Sequence, residues 1–231
     1  MIIKGLQKTT LLDFPGKVAC TVFTAGCNFR CPFCHNASLV TRAGEVDEIS
    51  EESFFAYITK RKGILDGVCI TGGEPLLSNG IEDFIRKIKQ TGLLVKLDTN
   101  GAYPEKLKTL LDEGLVDYVA MDIKNSRQKY AQTIGLKEFP SKIEESIKLI
   151  MEKAPDYEFR TTVVRELHTT QDIVDITNWI KGAKRYFLQS YVDSGDILCE
   201  GFSAHDASEM LKMLEISRKN LPCTVLRGVE T

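Results

Sequence analysis

The 231-residue sequence predicts an α/β fold on a parallel sheet, and three observations carry that expectation. Short β-rich runs alternate with helical patterns from residue 19 almost to the end. Several of those runs are apolar without clean alternation, as strands become when helices cover both faces of a parallel sheet. No linker-like stretch, repeat or low-complexity segment interrupts the series. The expected organisation is therefore one domain over 1–231, with a lead-in over 1–18, a core over 19–190, and a helix and short strand over 191–231. Alternating elements require right-handed crossovers between parallel strands. The pattern fits an open doubly wound sheet or a barrel, complete or partial. Each places a reactive site at the C-terminal strand ends.

Ala19–Thr24, rich in β-branched and aromatic residues, reads as the first strand. Residues 51–62 start acidic and end Lys60-Arg61-Lys62 before Gly63, matching a helix dipole. A strand over 67–71 follows, then a helix over Ile81–Gln90 with apolar residues at 81, 84, 85 and 88 and a stop at Gly92. After a strand over 94–98, Pro104 opens a helix striped by Leu107, Leu110 and Leu111 and ended by Gly114. Beyond the strand at Tyr118–Asp122, Ser141 to Glu144 has the form of a capping box ahead of Ile147 and Ile150. The remaining elements are a strand over 157–164, a helix through Ile173, Ile176 and Ile180, and a strand over 185–188. A last helix through Met210, Leu211 and Leu214 and a short strand over 223–226 complete the series.

Hydrophobic residues make up 43% of the chain, enough for a sizeable core. With 30 Lys+Arg against 32 Asp+Glu, nothing draws the protein generally to nucleic acid or an anionic membrane. The opening residues lack the basic-then-apolar plan of a signal peptide, and no apolar run approaches the roughly 18 residues of a membrane span. The expectation is a cytoplasmic protein without nucleic-acid or membrane partners.

Seven cysteines stand at 20, 27, 31, 34, 69, 199 and 223. An odd number without an export signal argues against a disulfide framework. Cys27, Cys31 and Cys34 crowd into a C-x3-C-x2-C loop directly after the first strand. Thiolates are the ligands of iron–sulfur clusters, and four normally complete a four-iron cube, so three leave one iron open. Structural zinc prefers four closed ligands, which His35 or Cys20 would have to complete, and there is no second C-x2-C pair. Zinc stays open as the alternative. Cys20 and Cys69, inside strands, read as small core hydrophobes.

With Phe33 just before the third cysteine, the loop resembles the signature of the radical S-adenosylmethionine superfamily. The continuation Cys34-His35-Asn36 and the upstream Asp13-Phe14-Pro15-Gly16 are similar to activases that install a glycyl radical on a partner. The run from Gly5 to Asn36 is similar to activating proteins of anaerobic ribonucleoside-triphosphate reductase. This resemblance implies a partial (β/α)6 TIM-like barrel of parallel strands. It implies a [4Fe–4S] cluster on Cys27, Cys31 and Cys34, with S-adenosylmethionine cleaved to a 5′-deoxyadenosyl radical. The partners implied are a glycyl-radical reductase subunit as substrate and flavodoxin or ferredoxin as electron donor. Pyruvate formate-lyase or a small molecule is the alternative substrate, and a non-catalytic iron–sulfur or zinc protein is the third possibility.

Further site residues follow from the same likeness. Thr71 to Pro75 is by itself an ordinary tight turn; the resemblance gives Gly72, Gly73 and Glu74 to the methionine amino group. Asp98, Thr99 and Asp122 are given to a monovalent cation beside the methionine carboxylate, and Lys124 to that carboxylate. An ammonium beside a carboxylate is physically sensible in a partly dry pocket. Phe33 and Thr162 are expected against the cofactor, as is Gln189, which stands where pyruvate formate-lyase activating enzyme has a histidine. Asp13 and His35 are expected to flank the cluster and shape the entrance. Asn100-Gly101 reads only as a turn signal, and His168 and His205 as surface or cap residues.

Overall fold

In the computed structural model, which describes residues 1–229, one eight-stranded sheet runs in chain order. The strand β1 (Ile3–Thr10) pairs antiparallel with β2 (Ala19–Thr24). From there each neighbour is parallel: β3 (Gly67–Gly72), β4 (Leu94–Thr99), β5 (Tyr118–Asp122), β6 (Tyr157–Val163), β7 (Tyr186–Ser190) and β8 (Thr224–Arg227). The sheet does not close, since β1 and β8 are its two edges. This is the expected partial barrel, widened by one strand on each side of β2 to β7. β1 occupies eight of the eighteen residues expected to be a lead-in. An edge strand need not alternate, and the run around Gly5 with Gln7, Lys8, Thr9 and Thr10 is largely polar, so no period announced it.

Among the described residues eight helices cross between strands: α1 (Ala37–Thr41), α2 (Glu51–Lys60), α3 (Ile81–Gln90), α4 (Pro104–Asp112), α5 (Arg127–Thr133), α6 (Lys142–Lys153), α7 (Thr170–Trp179) and α8 (Ala207–Asn220). α1 and α5, five and seven residues long, are too short to display a helical period and were not foreseen. The helix stripes (Phe54 and Ile58, Phe84 and Ile88, Leu107 and Leu110, Ile147 and Ile150) join Val22, Ile70, Leu97, Met121, Phe159 and Leu188 in one core. Every second strand residue therefore faces the helices.

The alternate residues face inward and are mostly polar. Register aligns Thr21 with Cys69 and Lys96, Asp98 with Ala120 and Glu158, Asp122 with Arg160, and Thr162 with Gln189 and Arg227. These buried charges are paired, as burial demands. Arg227 grips the nearly fully buried Glu158 with two bonds of 2.9 and 3.0 Å, and Tyr118 Oη donates to the same carboxylate at 2.8 Å. At the N-terminal end of the strands Phe14 packs with Ala19, Tyr118 and Ala120 as an apolar plug. Gly67 is the residue that admits it, since a Cβ there would lie 2.9 Å from the Phe14 ring.

The helix starts bring one correction. α6 begins after Ser141, but Ser141 has helical backbone angles and makes no capping bond. The reciprocal box forms instead at α7, where Thr169 Oγ1 accepts from the Asp172 amide and Asp172 accepts from the Thr169 amide at 2.8 Å. Thr169→Ala is expected to lower unfolding free energy by about 1 kcal/mol, and Ser141→Ala by nothing measurable in urea titrations. Equal losses would mean that the two ends are capped alike. No helix among the described residues is long and apolar enough to cross a membrane.

Candidate cofactor site

The C-terminal strand ends open on a cavity of about 230 Å³. The loop after β2 lines it with Cys27, Cys31, Phe33, Cys34 and His35, the turn after β3 with Gly72 and Gly73, and the end of β4 with Asp98, Thr99 and Asn100. Asp122 and Lys124 follow from β5, Arg160 and Thr162 from β6, and Gln189 from β7. All the residues expected at the site line this cavity except Asp13 and Glu74. Asp13 sits beside the Phe14 plug at the opposite end of the strands, accepting from the Thr21 hydroxyl, so the structure does not bring it to the cysteines.

Glu74 lies fully buried behind the turn. Its carboxylate accepts from the Leu76 amide at 3.1 Å, the Thr99 hydroxyl at 2.8 Å and the Asn100 amide at 2.7 Å, which clamps the end of β3 to the end of β4. Burial pushes this carboxyl up to about 7 against those three bonds. Gly72 and Gly73 serve close approach. Gly72 has φ +120°, and Cβ atoms at 72 and 73 would lie 2.4 Å from Thr24 O and 1.9 Å from Gly26 O. The bare turn thus interlocks with the segment that delivers Cys27, through Gly73 N to Thr24 O at 3.1 Å and Glu74 N to Gly26 O at 2.8 Å. Asn36 Nδ2 adds a bond of 2.8 Å to Gly72 O.

The cysteine loop is held by its own backbone and by distant partners. Cys34 N donates to Cys31 O at 3.1 Å, Arg30 N to Ile134 O at 2.9 Å, and Cys199 N to Pro32 O at 2.8 Å. Cys27 Sγ accepts from the Phe29 amide at 3.4 Å and from Asn100 Nδ2 at 3.7 Å. Asn100 is therefore more than a turn residue. Burial pushes the Cys31 thiol up to about 12 and raises Cys27 as well, so both hold protons that a bound metal would displace. Among the described residues no three Cys, His, Asp or Glu side chains are grouped as ligands to a single ion. The thiols instead flank a space roomy enough for a multi-atom group. A donor set that is all sulfur and one short of four fits an iron–sulfur cluster with an open iron better than closed tetrahedral zinc.

Opposite the thiols runs a charged wall. Arg160 donates through Nε to Asp122 Oδ1 at 2.9 Å and through Nη1 to Asp98 Oδ2 at 3.0 Å. Lys124 takes Asp122 Oδ2 at 3.0 Å, and Lys96 pairs with Asp98 Oδ1. Burial alone would raise both carboxyls; Arg160, helped by Lys96 at Asp98 and Lys124 at Asp122, holds them below the usual carboxylate range. Thr99 Oγ1, expected beside a cation, donates to Glu74 and accepts from Gly101 N at 3.1 Å, and all four oxygens of Asp98 and Asp122 already meet cationic side chains. The residues present therefore do not fit an additional monovalent cation.

His168 is not a surface residue. It is 1% exposed, accepts from the Val164 amide at Nδ1 over 3.0 Å, and bonds Lys124 O through Nε2 over 2.9 Å, with its ring edge-on to Phe33. It thereby positions the strand end that carries Lys124. His205 reaches His168 O at 2.9 Å. His35 stacks on Tyr191 at 5.3 Å, and its buried Nε2 has no protein partner.

With this geometry in view, residues 21–180 match the model of the Radical SAM superfamily. A Methanocaldococcus jannaschii protein named "Putative glycyl-radical enzyme activating enzyme MJ1227" is 29% identical over 238 residues, spanning 99% of this chain and 96% of that protein. The pyruvate formate-lyase-activating enzyme of Clostridium pasteurianum is 30% identical over 128 residues, 53% of this chain and 52% of its own. Among solved structures, Streptococcus suis SuiB bound to precursor peptide SuiA superposes with a TM-score of 0.72 at 13% identity. That match covers 90% of this chain and 48% of SuiB, so this chain spans about half of that structure's length.

Proposed function

The chain belongs to the Radical SAM superfamily, and we propose that within it the protein activates a glycyl-radical enzyme, with anaerobic ribonucleoside-triphosphate reductase as partner. The observation that carries this reading is the convergence of three thiols, a side-chain-free turn and a partly buried ammonium on one cavity at the strand ends. Similarity over nearly the full length of an activating enzyme supports the activase class. Cys27, Cys31 and Cys34 would hold a [4Fe–4S] cluster, which with S-adenosylmethionine bound beside it and an electron from the reduced donor would supply one-electron reductive cleavage of the S–C5′ bond.

The chain's own residues bind, orient and exclude water. Lys124, steadied by Asp122 and by the His168 bond to its carbonyl, offers its ammonium to the methionine carboxylate. The Gly72–Gly73 backbone faces the amino group with no side chain in the way. Thr162 and Gln189 supply polar contacts for ribose or adenine, while Phe29, Phe33 and Val40 keep the remaining wall apolar. His35 stacks on Tyr191 at the cavity wall, its Nε2 buried and without a protein partner. Flavodoxin or ferredoxin is the electron donor in this reading.

Similarity to the Clostridium pasteurianum enzyme favours pyruvate formate-lyase as the second choice of partner. Anaerobically reconstituted protein, mixed with a reductant, S-adenosylmethionine and candidate reductase subunit, is expected to give a glycyl doublet in electron paramagnetic resonance together with 5′-deoxyadenosine. A doublet on pyruvate formate-lyase alone would move the assignment to it. No cleavage from a protein with its cluster intact would sink both.

A further inference from the structure

The charged wall answers a question that the site poses by its own layout: what neutralises two acids placed side by side in a partly dry cavity? Asp98 and Asp122 stand at the ends of adjacent parallel strands, and register sets Arg160 of β6 level with Asp122. The arginine reaches both. Its planar fork spends Nε on one carboxylate and Nη1 on the other, a two-pronged contact that a lysine could not reproduce from that position. The side chains of Arg160 and Asp98 are each only 14% exposed, so the contact is shielded from solvent.

We propose that Arg160 is a built-in counter-ion, holding the place between Asp98 and Asp122 that a mobile monovalent cation would otherwise fill, so that S-adenosylmethionine binding by this chain requires no such cation. The two carboxylates have four oxygens, and each already accepts from a cationic side chain: Lys96, Arg160 twice, and Lys124. Thr99 Oγ1, the neutral oxygen next to them, donates to Glu74 and accepts from Gly101 N at 3.1 Å. The neighbouring acid, Glu158, is 4.0 Å from Arg160 but is answered by Arg227. Across this wall four basic groups face three acids, which leaves a surplus positive charge for an anionic ligand such as a carboxylate. A potassium ion entering here would have to displace a fixed guanidinium and then sit beside it, and like charges at close range in a partly desolvated site repel strongly.

The proposal rests on this cavity being the S-adenosylmethionine site, and the test keeps the two failures apart. Equilibrium dialysis of the reconstituted protein with rubidium ion, standing for potassium, reads the cation without the cofactor. Wild type is expected to show no saturable uptake, and Arg160→Ala to acquire one site. Cofactor affinity is then compared in potassium and in tetramethylammonium buffers. Wild type should change by less than about twofold, whereas Arg160→Ala should lose about tenfold in tetramethylammonium and regain most of it in potassium. Arg160→Lys, charged but without the fork, should fall between them. Saturable rubidium uptake by wild type, or a potassium requirement for its cofactor binding, would overturn the assignment. Both wild-type measurements stand even where Arg160→Ala fails to fold. Absence of cofactor binding in either buffer would sink the reading of the cavity, while the rubidium result would still decide the role of Arg160.

Discussion

Replacing Cys31 by alanine is expected to reduce 5′-deoxyadenosine formation to background, while Cys223→Ala keeps it near the wild-type level. Cys31 is 7% exposed and lines the cavity with Cys27 and Cys34, so its loss leaves two sulfurs for a group that needs at least three. Cys223 lies beside the start of β8 and donates to Ala183 O at 3.2 Å, remote from the strand ends that form the site. Removing that weak bond should cost about 1 kcal/mol or less and leave the cluster in place. Iron and sulfide per chain, measured beside product formation and circular dichroism, separate cluster loss from unfolding. Equal loss of activity in the two folded variants would show that the cysteines had been divided wrongly.

Gly73→Ala should do comparable damage by a different route. The new Cβ would stand 1.9 Å from Gly26 O and 2.6 Å from Gly26 C, and neither is a side chain that can rotate away. Either the turn or the segment from Thr24 to Cys27 must move. The bonds from Gly73 N to Thr24 O and Glu74 N to Gly26 O then stretch or break together. Overpacking and two lost backbone bonds put the expected loss of stability at about 2–4 kcal/mol. A displacement on the order of 1 Å beside Cys27 should also lower the cleavage rate by about 100-fold. Gly44→Ala is the control: nothing lies within 4 Å of its added Cβ, and the change should stay within about 0.5 kcal/mol. Denaturant unfolding and product formation measure the two effects. A Gly73→Ala protein as stable and active as the control would show that the interlock has slack.

Much of this architecture can be read from residues because strand ends are conspicuous. Cys27, Cys31 and Cys34, Gly72-Gly73, Asp98, Asp122, Lys124 and Gln189 each end or follow an apolar β-rich run, and each reaches the cavity. What escaped depends on register or side-chain direction. Arg160 meets Asp122 and Asp98 across 38 and 62 residues of sequence, and only strand alignment shows which acids it bridges. Glu74 differs from its neighbours merely in pointing back into the protein, a rotamer choice no pattern encodes. Asn100 carried the signature of a turn and does make one, accepting from Ala102 N at 2.9 Å, so its second task of donating to Cys27 was hidden. His168 follows a strand in a polar stretch and reads as exposed; Val164 and Lys124 fold over both ring nitrogens only in three dimensions.

The grip of Arg227 on Glu158 sets an order in time as well as in space. The two residues are 69 positions apart. A chain made from its N-terminus lays down β2 to β7 before the acid in the middle of β6 has its counter-ion. At about 5–20 residues per second, synthesis supplies that partner roughly 3–14 s later. Until then water must solvate the carboxylate, helped by the Tyr118 hydroxyl at 2.8 Å and by Arg160 at 4.0 Å. The nascent sheet is therefore expected to be wet inside. Its interior drains last, when β8 arrives.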